Sequence, residues 1–390
     1  MTHITPTEAR GDLAVMLTGG GARAAYQVGL LQGLARLFPE LKFEIVTGVS
    51  AGAINAVFLA SHKGSLAQIA EELAQVWCEL ECHSIWHFDW KTMVPFRSAL
   101  SSIFPRRTWS AQRGLVDTTP LAKLLCRIFD ARPGKPIRGI GENIRQGDLH
   151  AIAVNTLDYS TGQSVRWVQG RHIDVFEGPN RRSVRTAITV EHVLASSSLP
   201  FIFPAIRIGS QYHGDGGIRL AAPLSPAVHL GARRIIAMST GYQRTKDEAD
   251  IPVVQGYPPA AQLLGQLFNA IFLDVIDEDV VRMQRMNEMI AKLDPRERDG
   301  FKPIDLLVLR PSQDLGRLAS AYEKYLPRHL KFVTRALGAK ETESPDFVSL
   351  LMFEPNYTRE LIAIGRADVE ARAEEIREFL DRPMPQVAAV

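Results

Sequence analysis

Three short stretches of this chain carry residue types whose spacing allows chemistry. In "FEIVTGVSAGAINAVFLA", Phe43 to Ala60, Ser50 stands between Gly48 and Gly52, after an apolar β-branched run and before a small and apolar one. A serine hydroxyl is a poor nucleophile until something holds it exposed, takes its proton and stabilises the oxyanion its attack creates. In "YHGDGGIRL", Asp215 sits among Gly214, Gly216 and Gly217, where it is either a base or a turn former bonded to its own backbone. Gly19-Gly20-Gly21 can present consecutive backbone N–H groups to negative charge. The triplet fits neither the G-x-G-x-x-G nor the P-loop pattern. Each feature is weak alone.

The elements around them have a definite order. Leu13 to Leu17 reads as a strand, the glycines as a turn, and Ala24 to Leu37 as a helix; Phe43 to Val49 followed by Ala51 to Ala60 repeats the arrangement. Ser50 then lies on a strand-to-helix elbow, with the helix N-terminus pointing free N–H groups at developing negative charge. A further helix comes next, with Ser65 and Gln68 as a capping box ahead of Leu66, Ile69, Leu73, Val76 and Trp77. More strands are predicted at Leu149 to Val154, Ser164 to Val168, near Ile206 to His213, Arg234 to Met238, and Ile304 to Leu309. Successive strand-helix units imply a parallel sheet covered on both faces. One long amphipathic helix is expected through Leu263, Leu267, Phe268, Ile271, Phe272, Val275 and Ile276. Others are expected from Pro327 to Ala336 and through Val369, Ile376, Phe379 and Leu380, with a frayed tail past Arg382.

Composition narrows the function classes. A chain of 390 residues, 46% hydrophobic and 23% charged, can bury a large core, and a formal charge of +2 gives no global attraction to nucleic acid, which is not an expected partner. Three cysteines, Cys78, Cys82 and Cys126, are too few and odd in number for a disulfide framework and suit a reducing compartment. The N-terminus does not read as a signal peptide and no apolar run is long enough to span a bilayer. The expected location is the cytoplasm, with any membrane contact peripheral at the inner face.

Taken together and in order, Gly19-Gly20-Gly21-Ala22-Arg23, Gly48-Val49-Ser50-Ala51-Gly52 and Asp215-Gly216-Gly217 resemble the three signatures of the patatin-like phospholipase family. "HAIAVNTLDYSTG", "ASSSLPFIFPAI" and "PLSPAVHLGARRII" resemble further blocks of that family, so the resemblance runs from about Leu13 to Thr240. It implies an α/β fold with a mostly parallel central sheet flanked by helices, related to the α/β-hydrolases, with helical C-terminal elaboration. The expected organisation is a hydrolase domain over residues 10–315 and a helical extension over 316–390 packed on it. The resemblance further implies a Ser-Asp dyad without histidine: Ser50 as nucleophile, Asp215 as base, and an oxyanion hole in Gly19, Gly20 and Gly21. Gly48, Gly52 and Gly216 would support these, and Arg23 would hold the glycine loop or meet a phosphate. Ala24 stands where the family usually has glycine and needs an ordinary helical φ.

The activity implied by the resemblance is that of a lipid acyl hydrolase working through an acyl-enzyme on a lipid or acyl-ester substrate, with no cofactor and no metal. The rivals are a thioesterase or soluble carboxylesterase on the same dyad, and a catalytically silent lipid-binding or regulatory protein. A conventional triad would need His229 or His329, the histidines that come after Asp215, while His150, His192 and His213 lie nearest the motifs. Cys78, Cys82, His83 and His87 invite a zinc reading, but one helix and its exit cannot wrap a tetrahedral ion with both neighbours Cys82 and His83. The aromatic stretch from Trp86 to Trp109 reads as a lid over the serine or as an ordinary insertion. Arg106, Arg107, Arg181, Arg182 and Arg185 either meet lipid phosphate or face water.

Overall fold

The computed structural model describes residues 12–87, 114, 116–171, 173, 175–250, 257, 260–298, 300–326, 331 and 346–382. Among these residues nine strands form one sheet: β1 (Leu13–Leu17), β2 (Ile45–Val49), β3 (Ala151–Asp158), β4 (Ser164–Gly170), β5 (Arg181–Arg185), β6 (Ile206–Ile208), β7 (Gln211–Asp215), β8 (Arg234–Met238) and β9 (Asp305–Leu309). Their order is β5-β4-β3-β2-β1-β8-β9, with β7 on β3 and β6 on β7. The β3-β2-β1-β8-β9 run is parallel. Its strands are the apolar, branched ones, as burial on both faces requires. One face packs against α1 (Ala25–Leu37) and α2 (Ala51–Ser61); the other carries a smaller core with Leu224, Ile235 and Ile276.

The register explains how two distant motifs meet. β2 pairs with β3 only as far as Val49 opposite Asn155. Where β2 stops, β7 takes its place on the same side of β3, antiparallel, with Asp215 opposite Thr156. The chain leaving β2 at Ser50 and the end of β7 at Asp215 are thereby brought to one point.

Helix α1 also packs against a helix at Pro355–Ala371. A Cβ on Gly29 would lie 2.1 Å from the Ile362 carbonyl and one on Gly365 2.3 Å from that of Tyr26. Glycine at both places lets the two backbones touch, and Tyr26 Oη donates to Asp368 Oδ2 at 2.8 Å across the contact. A third helix, α3 (Leu66–Cys78), starts with the expected capping box at Ser65 and Gln68.

Several expectations are corrected. The long amphipathic helix is two helices, Ala260–Phe272 and Val275–Lys292. The break falls where the Leu273 and Asp274 N–H groups both return to the Asn269 carbonyl, and Leu263 and Leu267 are half exposed. The last predicted helix is likewise split at Arg372. The stretch near Ile206 to His213 is a hairpin of two strands, β6 and β7, rather than one. β5 was not expected, since the sequence Arg-Arg-Ser-Val-Arg lacks apolar alternation. The helix predicted from Pro327 to Ala336 and the stretch from Trp86 to Trp109 lie outside the described residues but for Lys331, Trp86 and His87.

Candidate active site

The site lies at the C-terminal ends of β1, β2 and β8, where an open parallel sheet exposes backbone and loops to a ligand. Ser50 leaves β2 with φ 55° and ψ −134°, a backbone region that L side chains rarely adopt. It occupies the N-cap of α2, yet its side chain accepts no capping hydrogen bond. The hydroxyl is left for other work, at the positive end of the helix dipole.

The elbow is held by contacts that exclude larger residues. A Cβ on Gly48 would meet the Gly52 carbonyl at 2.5 Å, and one on Gly52 the Thr18 carbonyl at 2.3 Å. The Ser50 N–H donates to Ser196 Oγ at 3.0 Å, and Ser196 Oγ donates onward to the Asn155 carbonyl at 2.7 Å. The Asp215 N–H donates to the Ser198 carbonyl at 3.0 Å, so serines of one short segment brace both motifs. A Cβ on Gly216 would fall 2.1 Å from the Asn155 carbonyl.

Asp215 is completely buried. Its Oδ1 accepts the Gly217 N–H at 2.8 Å, and Oδ2 has no partner at hydrogen-bond distance among the described residues. Burial pushes the carboxyl up to about 7, against smaller opposing effects from the Ser50 hydroxyl and the Gly217 N–H. A carboxylate so tuned is a competent base near neutral pH, which an ordinary aspartate is not.

The glycine loop borders the same point. A Cβ on Gly19 would stand 3.5 Å from Ser50 Oγ. Gly20 at φ 146° and Gly21 at φ 55° give the loop its shape, and side chains there would strike Thr240 and the Leu350 carbonyl. Ala24 adopts φ −64°, the ordinary helical value expected of it. A buried network fixes the loop. Thr240 Oγ1 donates to the Gly19 carbonyl at 2.6 Å, Gln27 Nε2 to the Thr18 carbonyl at 2.9 Å, Asn55 Nδ2 to Gln27 Oε1 at 3.0 Å, and Trp77 Nε1 to Asn55 Oδ1 at 2.8 Å. Sequence reasoning missed Thr240, Gln27, Asn55 and Ser196 as supports. Of these, only Thr240, a polar residue just past a buried parallel strand, left a readable signal.

Arg23 is buried and holds the loop; it is not free to meet a phosphate. Its Nη2 pairs with Asp346 Oδ1 at 2.5 Å and its Nε donates to Ser349 Oγ at 2.6 Å. Asp346 Oδ2 accepts from Asn269 Nδ2 at 2.7 Å.

Among the described residues no histidine bonds Ser50 or Asp215. His213 Nδ1 faces Thr156 Oγ1 at 3.1 Å, His192 Nδ1 accepts the Thr189 N–H at 3.0 Å, and His229 Nδ1 faces the Ser225 carbonyl at 2.7 Å. Burial lowers the pKa of all three. His329 lies outside the described residues. The cysteine-histidine cluster is dispersed: Cys82 Sγ is buried toward the Leu351 and Phe353 carbonyls, while His83 is exposed beside Glu81. No group of three metal-binding side chains occurs among the described residues.

Ser50 and Gly21 open into an apolar cavity enclosing about 590 Å³ of space, part of it open to solvent. Its walls come from α3 through Trp77, from the helix Thr119–Ile128 through Leu121 and Leu125, and from Leu350 and Phe353. Among the described residues no helix is long and apolar enough to cross a membrane.

The chain is 26% identical over 227 residues to the cGAMP-activated phospholipase of Vibrio cholerae, covering 55% of this chain and 56% of that protein. It thus spans about half the length of the curated relative it matches. Among solved structures, human GIVD cytosolic phospholipase A2 aligns with a TM-score of 0.44 at 10% identity, over 95% of this chain and 60% of that one. The type III effector protein ExoU aligns at 0.37 and 14% identity, over 94% and 53%. Residues 15–228, more than half of the chain, match the patatin-like phospholipase family, and the chain belongs to that family.

Proposed function

We propose that this protein is a serine lipid acyl hydrolase, of phospholipase A or lysophospholipase type, acting through Ser50 and Asp215. The observation that carries the reading is an uncapped serine at an elbow, beside a fully buried carboxyl raised to about 7, at the mouth of an apolar cavity. Family membership supports a lipid as the substrate class.

Asp215 takes the proton from Ser50 Oγ as that oxygen attacks the ester carbonyl carbon. Charge moves onto the carbonyl oxygen, where backbone N–H groups of Gly19, Gly20 and Gly21 and the α2 terminus stabilise it. Collapse breaks the ester bond, and Asp215 returns the proton to the departing alcohol. Water then attacks the acyl-enzyme, gives its proton to Asp215, and the fatty acid leaves as Ser50 Oγ is reprotonated. The apolar cavity receives the acyl chain, whose burial supplies roughly 0.8 kcal/mol per methylene. Arg23, Gly48, Gly52 and Gly216 hold this geometry without touching substrate.

The same reading gives a hydrolase domain over residues 10–315 with the 316–390 extension packed on it. The extension supplies Asp346 to Arg23 and Leu350 and Phe353 to the cavity wall. It also fits a cytoplasmic protein that meets membranes at their surface.

Fatty acid release from phospholipid, lysophospholipid and neutral-lipid vesicles, with wild type, Ser50→Ala and Asp215→Ala in parallel, tests the proposal. Release abolished by both substitutions supports it. Activity confined to thioesters or soluble esters moves the substrate class, and no release together with no labelling of Ser50 by a fluorophosphonate overturns the enzyme reading.

A further inference from the structure

A second pocket, sharing no lining residue with the Ser50 cavity, lies over β4, β5 and the segment that comes after Asp215. It holds about 680 Å³ of space, part of it open to solvent, and four arginines line it: Arg166, Arg181, Arg182 and Arg219. Strand pairing explains the gathering. Arg166 of β4 stands opposite Ser183 of β5, and two-residue periodicity puts Arg181 on the same face of the sheet. Arg219 arrives at the end of the short helical turn Gly216–Arg219.

Arg166 is the unusual member. Its side chain is nine-tenths buried, and among the described residues it has no carboxylate partner. Among the described residues its Nη2 reaches only Ser225 Oγ, at 3.3 Å, and its Nε has no partner. Burial, with the nearby positive charge of Arg181, lowers its pKa to about 10. A buried guanidinium beside a like charge is costly to keep, and the cost falls when an anion enters the space it faces. Arg182 stands opposite Val165 and so points to the other face of the sheet, where its Nη2 contacts Gln211 and, at 3.5 Å, Asp158. Arg181 lies over the Phe176 ring and Arg219 is tied to Gly162 and Asn180, so both are pre-positioned. Ser164, Ser183 and Asn180 add neutral polar groups to the wall. Donors converging from several directions suit a tetrahedral phosphate, with three acceptor oxygens, better than a planar carboxylate with two.

We propose that this pocket binds a phosphate group, as a phosphate monoester, between Arg166, Arg181 and Arg219. The site is separate from the Ser50 chemistry and stands without it. The phosphate belongs either to a soluble compound or to a lipid headgroup.

Titration calorimetry of the full chain with inorganic pyrophosphate tests the site directly. Saturable binding that weakens with added salt is expected. Arg166→Met and Arg181→Glu should each weaken it by about tenfold or more, as loss of a charge-assisted hydrogen bond requires. Arg181 is exposed, so its substitution reports on binding even where Arg166→Met fails to fold. Wild type that takes up no pyrophosphate, or Arg181→Glu that binds it undiminished, overturns the proposal. The source is separated in a Ser50→Ala background with phosphatidylcholine vesicles, with and without phosphatidic acid. Displacement of pyrophosphate by phosphatidic acid vesicles alone identifies a lipid phosphate; pyrophosphate binding that neither vesicle displaces identifies a soluble one.

Discussion

Ser50 and Asp215 lie 165 positions apart in sequence yet converge through one strand, because Val49 pairs with Asn155 and Asp215 with the next residue, Thr156. β2 ends and β7 begins along the same side of β3, so a shift of either register by one residue would turn its motif to the other face of the sheet.

In the proposed mechanism the raised carboxyl of Asp215 sets the pH dependence of turnover. With a base whose pKa is about 7, kcat/KM rises nearly tenfold per unit as pH increases below 7 and levels off above it. Initial rates on a soluble ester from pH 5 to 9 check this, and a profile flat down to pH 5 would remove Asp215 as the base.

Stability carries the opposite sign. A carboxyl raised from 3.8 to about 7 on folding gives stability that is full below pH 4 and lost as pH rises through 7. The loss is on the order of 4 kcal/mol at about 1.36 per unit. Asp215→Asn lacks this dependence, so its advantage over wild type should widen between pH 5 and pH 8 in urea unfolding. An equal difference at both pH values defeats the expectation.

Backbone strain at Ser50 separates two variants that the proposed mechanism makes inactive. Ser50→Ala and Ser50→Gly both lose the hydroxyl, but glycine accepts φ 55° and ψ −134° without the Cβ penalty. Ser50→Gly should be the more stable of the two by about 1 kcal/mol, the low end of the cost of a strained residue. Denaturant midpoints in parallel decide it, and a more stable alanine variant would mean that the elbow is unstrained.

The Arg23–Asp346 pair links the glycine loop to the C-terminal helices. Removing one partner leaves a buried charge alone, so Arg23→Met or Asp346→Leu should each cost roughly 3–5 kcal/mol. The double variant should cost clearly less than the sum. Full additivity in unfolding experiments would show that the pair is not coupled.

The sequence by itself determined the elements with strong local signals. β1 and β8 have the predicted ends because short apolar runs bounded by glycine or charge leave no other period. The Ser50 elbow, the glycine loop and the capping box at Ser65 are local in the same sense. Each is a property of a few neighbouring residues, so one chain suffices to read it.

Tertiary structure alone decided the rest. β5 exists because β4 offers it a partner, not because Arg181 to Arg185 prefers to be extended. Arg23 is a structural anchor because Asp346 reaches it from more than three hundred residues away. The tuned carboxyl of Asp215 requires burial on every side, and burial is a sum over the whole packed chain. No spacing rule encodes such long-range sums, so they become visible only when the fold is assembled.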